Sequence, residues 1–148
     1  MGTIEEFTYI DAPPALVYHL LRDLTQQARY FPRGMKYRRA LTPATDVVGA
    51  RTEIDIQVAG PFWRTLILQL HAIEEGRALV IGTPDAATLV TRWRLEPEPP
   101  GTLATVTVDF QESGLLAMRF GTVLRRAYRA LLQRLRALAE AENPMASR

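Results

Sequence analysis

Glu53, Asp55 and Gln57 stand on alternate positions, the nearest this chain comes to a paired-carboxylate set for acid–base work. Residues two apart share one face of a strand. That face lies opposite Ile54 and Ile56, so isoleucines in a core would put the carboxylates in water, and they read as solvated surface. His19 and His71 are too few for a histidine zinc cage. His19 sits beside an apolar helical face with no carboxylate at helical spacing to orient it as a catalytic dyad would require. His71 shares a strand face with polar Gln69 and Thr65 and reads as solvent-side. The chain has no cysteine, which excludes disulfides, thiol nucleophiles and thiolate metal sites. It also lacks a glycine-rich phosphate loop, an EF-hand spacing and a Gly-x-Ser-x-Gly elbow. The expectation is a protein with no nucleotide, metal or flavin cofactor and no motif that names a reaction.

The elements follow from period and punctuation. Residues Thr3 to Asp11 alternate as a strand, and Pro13-Pro14 end it; Pro14 suits a first helical position because its missing N–H is not needed there. Ala15 to Asp23 sets Leu16, Val17, Leu20 and Leu21 on one side at helical spacing, and a second short turn is expected from Thr25 to Tyr30. Six strands are then expected: Met35 to Leu41, Gly49 to Val58, Phe62 to Glu74, Arg77 to Gly82, Ala87 to Glu96 and Leu103 to Gln111. The Pro97 to Gly101 stretch reads as a loop.

Gly114 opens the last element, Leu115 to Glu142, which has one apolar and one arginine-rich side. At ~100° per residue, Leu116, Phe120, Val123, Leu124, Ala127, Tyr128, Leu131, Leu135 and Leu138 fall within an arc of about 140°. Arg119, Arg125, Arg126, Arg129 and Arg136 fall outside it, and Arg134 projects at its margin, either snorkelling outward or aimed inward. Such a helix cannot bury its stripe alone. It must lie on a sheet built from the rest of the chain.

At 148 residues with a net charge of +2, the chain reads as one domain, 1–148, with a flexible tail at 143–148 and no expected nucleic-acid partner. Seventeen of its eighteen cations are arginine, Lys36 being the exception. No run approaches the ~18 apolar residues of a membrane span, and the first residues carry no signal-peptide pattern. A cytoplasmic location is expected. The basic face of the last helix suits at most a weak contact with an anionic surface, because its apolar half is committed to the fold.

The words "YIDAPPALVYHLLRD" and "GLLAMRFGTVLRRAYRALLQRLRAL", in this order of elements, resemble the SRPBCC superfamily of START-like, helix-grip proteins. The likeness is strongest to small bacterial members of the polyketide cyclase/dehydrase and coenzyme-Q-binding kind, and it spans nearly the whole chain. It implies an α+β fold: a seven-stranded curved antiparallel sheet gripping the C-terminal helix, with two short helices after the first strand. The space between sheet and helix binds hydrophobic molecules in many members, and some members catalyse ring cyclisation or dehydration. The matching words are structural, so they carry over no catalytic residue. In the implied strand order, Arg92 and Arg94 lie across from Asp109 or Thr107 on the outer face.

Within that fold, Tyr30, Phe31, Tyr37, Phe62 and Trp63 are expected to rim a cavity mouth, because they stand at element ends beside Pro32, Gly34, Gly60 and Pro61. The expected ligand-binding set is Tyr37, Ile54, Phe62, Arg64, Leu66, Trp93, Phe110, Phe120, Leu124 and Tyr128. The aromatics would supply flat apolar contact, the Tyr128 hydroxyl a polar handle, and Arg64 a charge for an acidic or carbonyl-bearing ligand. The leading expectation is binding or transport of a lipid, quinone or polyketide-like molecule. One alternative is a cyclase/dehydratase-type enzyme in which Arg64, Tyr37 or Tyr128 shifts protons. Another is a protein- or ribosome-interaction module with a filled core. The oligomeric state stays open.

Overall fold

A computed structural model describes residues 2–111 and 114–144, apart from the side chains at 59 and 114–119. The chain forms β1 (Gly2–Ile10), α1 (Pro14–Arg22), a 3-10 turn (Leu24–Gln26), α2 (Gln27–Tyr30), β2 (Met35–Ala40), β3 (Arg51–Ala59), β4 (Phe62–Glu74), β5 (Ala78–Gly82), β6 (Leu89–Glu98), β7 (Gly101–Phe110) and α3 (Gly114–Glu142). The seven strands make one sheet in the order β1-β7-β6-β5-β4-β3-β2, with every neighbouring pair antiparallel. The expected helix-grip architecture is therefore present.

Period-two alternation sends one face of each strand to the core. Ile54, Ile56, Leu68, Leu70, Trp93, Val106 and Val108 are all buried on the concave side. The opposite face carries the acids and arginines. Arg38 pairs with Asp55 at 2.8 Å and with Glu53, and Arg92 pairs with Asp109. Hydrogen bonds from Thr65 and Arg38 hold the Asp55 carboxyl below the usual carboxylate range. Exposed pairs of this kind contribute ~0–1 kcal/mol each. They secure the outer face but do not drive the fold.

The sheet curls until both of its margins meet the long helix: α3 packs on β1, at one edge, and on β3, one strand from the other edge. Leu124, Tyr128, Leu131, Leu132, Leu135 and Ala139 are its buried residues nearest full enclosure. Leu132 and Ala139 lie toward one side of the expected arc. Leu116 and Arg119 lie outside the described side chains. Arg134 is exposed, with Nη2 3.5 Å from the Arg29 carbonyl oxygen. At the β1 seam the inward-pointing position holds a charge. Glu6 has a side chain 14 % exposed and pairs with Arg129 and, at 3.8 Å, with Arg125. Nearer the start of α3, Phe110 of β7 packs edge-to-face on Phe120, with ring centroids 5.6 Å apart.

Asp23 ties the turn after α1 to the 41–50 segment. Its Oδ1 accepts from the Thr25 N–H at 3.1 Å, the Thr25 hydroxyl at 2.8 Å and the Thr45 hydroxyl at 2.8 Å. Partial burial opposes ionisation, but these bonds outweigh it and lower the Asp23 pKa. The 41–50 segment is thereby stapled to the junction before α2.

One expectation needs correction. The break expected from Pro97 is shorter, because β6 runs to Glu98 and pairs Pro97 with Thr102. The Leu95 N–H donates to the Arg77 carbonyl at 2.7 Å. Pro97, two residues on, directs its nitrogen past the end of β5, where no donor is required. In the 143–148 tail, Asn143 Nδ2 donates to the Asp11 carbonyl at 3.0 Å. Residues 145–148 lie outside the described residues. No described helix is long and apolar enough to cross a membrane.

A Cβ on Gly101 would stand 2.2 Å from the Ile10 carbonyl oxygen and 2.6 Å from the Tyr9 hydroxyl. The β1 backbone cannot yield without breaking its pairing with β7. Gly101→Ala should cost about 2 kcal/mol of unfolding free energy, read as a lower urea midpoint; an unchanged midpoint would refute the close approach. Glu6→Gln should cost about 1 kcal/mol by leaving Arg125 and Arg129 without a carboxylate at the seam. The difference from the unmodified chain should shrink as salt is added, and a loss indifferent to salt would count against the ion pair.

Candidate functional site

Among the described residues, two spaces border α3. The inner one lies between the concave sheet, α2 and the helix. It is lined by Gln27, Tyr30, Phe31, Met35, Leu68, Ile81, Thr91, Trp93, Tyr128 and Leu131, and holds about 20 Å³. A water-sized probe needs ~10–15 Å³, so this is room for one small molecule of that size. The outer space is a half-open groove of about 420 Å³. One wall is α3, through Val123, Arg126, Ala127 and Ala130. The other wall is the 32–34 segment and the end of β3, through Pro32, Arg33, Gly34, Gln57 and Gly60.

Local sequence explains the groove. Pro32 and Gly34 break the chain after α2, and the Gly34 backbone carbonyl accepts from the Gln57 N–H at 2.9 Å. Gly60, with φ +50, closes the β3–β4 hairpin in the left-handed region that favours glycine. The Gln57 side-chain amide donates to the Gly60 carbonyl. On the helix side, Ala127 and Ala130 are too short to fill the gap. The groove and the inner space flank the same two segments, 31–35 and 127–131.

The inner space is polar at one end. The Tyr30 and Tyr128 side chains are each 2 % exposed, and neither hydroxyl makes a hydrogen bond to a described residue. Burial raises both phenols far above their ordinary value, and for Tyr30 the neighbouring Tyr128 and Asp23 add to it. The Thr91 hydroxyl donates to the Ile81 carbonyl at 2.7 Å, and Gln27 Oε1 accepts from the Thr52 hydroxyl at 3.2 Å.

The described spaces take in two of the ten residues expected to bind ligand. Trp93 and Tyr128 line the inner space. Ile54, Leu66, Phe110 and Leu124 are buried in the surrounding core, and Tyr37 and Phe120 are partly buried against it. Phe62 is 63 % exposed on the hairpin tip, and Arg64 is exposed two residues further along β4. The register places Arg64 opposite Ile56, beside the groove's Gln57. Of the aromatics expected at a rim, Tyr30 and Phe31 are core residues, because α2 tucks them under α3; Phe62 and Trp63 are exposed. His19 is exposed, and His71 is half-buried with its Nε2–H donating to the Thr83 carbonyl at 2.8 Å. Neither touches the groove or the inner space.

Sequence reasoning did not single out Arg33, and it assigned Arg126 to a solvated face. The helical wheel does put Arg126 outside the apolar arc. Only the return of the 32–34 segment and β3 beside that flank turns it into a groove wall. The available signal was the Pro-Arg-Gly word at 32–34, which places a cation on a sharp break next to the helix–sheet seam.

Residues 1–140 match the family described as polyketide cyclase / dehydrase and lipid transport. Among solved structures the chain is similar to the KanY protein, at 18% identity over 95% of this chain and 99% of that one, with a TM-score of 0.80. It is similar to TTHA0849 from Thermus thermophilus at 20% identity, over 95% and 98% of the two chains, with a TM-score of 0.75. The AHSA1-like protein from Aeromonas hydrophila shares 17% identity over 95% and 93%, with a TM-score of 0.66. At these identities the likeness is one of fold. No curated protein matches the chain.

The buried phenols give a pH signature. A folded pKa above the unfolded value of ~10 means the native state keeps protons the unfolded state has released. Stability is then full below pH ~10 and falls as pH rises further. In a difference-absorbance titration, the phenolate signals of Tyr30 and Tyr128 should appear only together with loss of far-ultraviolet helical signal. Ionisation of either in the intact fold, tracked by its loss in Tyr30→Phe and Tyr128→Phe, would contradict their burial.

Proposed function

The chain belongs to the polyketide cyclase/dehydrase and lipid-transport family, an SRPBCC-type fold, and on that premise we propose that it binds a hydrophobic small molecule against α3. The observation that carries this reading is the half-open groove of about 420 Å³ between α3 and the 32–34 segment. That volume lies in the ~300–1,000 Å³ range of small-molecule sites. Its floor of Pro32, Gly34, Val123, Ala127 and Ala130 offers apolar contact, and Arg33, Gln57 and Arg126 stand as the few polar groups that orient a ligand. The adjoining inner space, about 20 Å³, holds no substrate by itself. Tyr30 and Tyr128 are among its lining residues.

A carrier fits these features better than a cyclase or dehydratase. Proton transfer needs polar groups converging on one bound atom. Of Arg64, Tyr37 and Tyr128, only Tyr128 lines a described space. The interaction-module alternative draws support from the small inner space, since a filled core is what it requires; the groove is what weighs against it.

Nile red, a neutral dye that brightens in apolar surroundings, should gain fluorescence saturably with the protein. Ala130→Phe, at an exposed helix position on the groove wall, should reduce the affinity at least tenfold while leaving the thermal midpoint within about 2 °C. Absence of any saturable uptake would overturn the reading. So would uptake indifferent to Ala130→Phe.

A further inference from the structure

Arginine is the dominant cation of this chain, and its placement is uneven. Arg38, Arg92, Arg129 and most other described arginines meet a carboxylate. Arg51 donates to the Gln69 side-chain oxygen, and Arg134 to a backbone carbonyl. Arg33, Arg64 and Arg126 have no such partner among the described residues. Arg33 and Arg126 stand on the opposite walls of the groove, and Arg64 lies on β4 opposite Ile56, next in the chain to the groove's Gln57. Two of these three arginines thus line the groove. No carboxylate lines the groove among the described residues. Arg125 and Arg129 flank Arg126 in sequence, yet both turn to Glu6 on the far side of the helix. Glu6 is therefore not available to Arg126, and no described lining residue sets a negative charge against Arg33 and Arg126.

An apolar trough lined by two arginines fits a molecule that is apolar along its length and anionic at one end. Guanidinium presents a planar fork that matches a carboxylate or phosphate. A neutral lipid, sterol or quinone would leave this charge unmatched. Resting on the reading that the groove binds hydrophobic molecules, we infer that its ligand is a single-chain amphiphile with a carboxylate or phosphate head. Arg33 and Arg126 hold the head, and the chain lies over Ala127 and Ala130.

Laurate, dodecyl phosphate and dodecanol share one chain and differ in the head, so calorimetric titration of the full chain with each separates charge from grease. Laurate and dodecyl phosphate should bind about tenfold more tightly than dodecanol, and added salt should narrow that ratio. Arg33→Gln/Arg126→Gln should bring the ratio close to one. Arg77→Gln/Arg94→Gln removes the same charge away from the groove and should leave the ratio intact. Ala130→Phe should weaken all three ligands. Equal binding of the three heads, or a ratio that survives Arg33→Gln/Arg126→Gln, would overturn this inference while leaving hydrophobic binding in place. A ratio that collapses equally in Arg77→Gln/Arg94→Gln would do the same, since it would reflect net charge alone. If none of the three binds and Nile red is not taken up, the underlying reading fails and this one fails with it.

Discussion

Burial of one stripe of α3 against a sheet curled far enough to meet it from both margins is the constraint from which the other features follow. Neither partner is viable apart: a single amphipathic helix exposes its stripe, and a sheet wet on one side exposes the other face. Together they close a core in which Leu124, Leu135, Ile54, Val106 and Val108 are fully buried. The curl is what gives α3 contacts to both β1 and β3. It also leaves seams where helix and sheet margin do not mesh. At the β1 seam Glu6 and the two arginines fill the junction. At the β3 seam small residues and a chain break leave a groove instead.

That asymmetry also governs charge. The outer face of the sheet neutralises its acids and arginines strand by strand, as Arg38 does with Asp55 and Arg92 with Asp109. The helix sends Arg125 and Arg129 to Glu6. Beside the groove, Arg126 on that flank of α3 meets a segment, 32–34, that carries another cation and no acid. Weak pairs of ~0–1 kcal/mol hardly stabilise the protein, yet their distribution decides where positive potential persists.

Much of the fold was legible in the chain. Alternation in 52–58 and 103–110 identifies strands whose one face is apolar, and the spacing of Phe120, Leu124, Leu131 and Leu135 identifies the helix and its buried side. Those patterns are one-dimensional consequences of fixed periods, so they survive without coordinates. Boundaries were less legible. Pro97 looked like a break, but it belongs to β6 because its nitrogen points past the end of the neighbouring strand, which depends on how far β5 extends. Leu132 is buried although it lies off the expected arc, because the helix is rolled toward the β1 edge of the sheet.

The site was the least legible part. Aromatics at element ends read as a rim, yet Tyr30 and Phe31 are core and Phe62 is exposed. Composition and period establish which residues belong to an apolar face, and for this chain they suffice to specify a sheet that must clasp a helix. How widely the sheet opens from that helix is a property of strand twist, register and packing summed over distant segments. No local word encodes that sum. Only the folded chain therefore decides that the described inner space holds about 20 Å³, that a groove of about 420 Å³ opens at the β3 seam, and that Arg33 and Arg126, 93 positions apart in the chain, both line it.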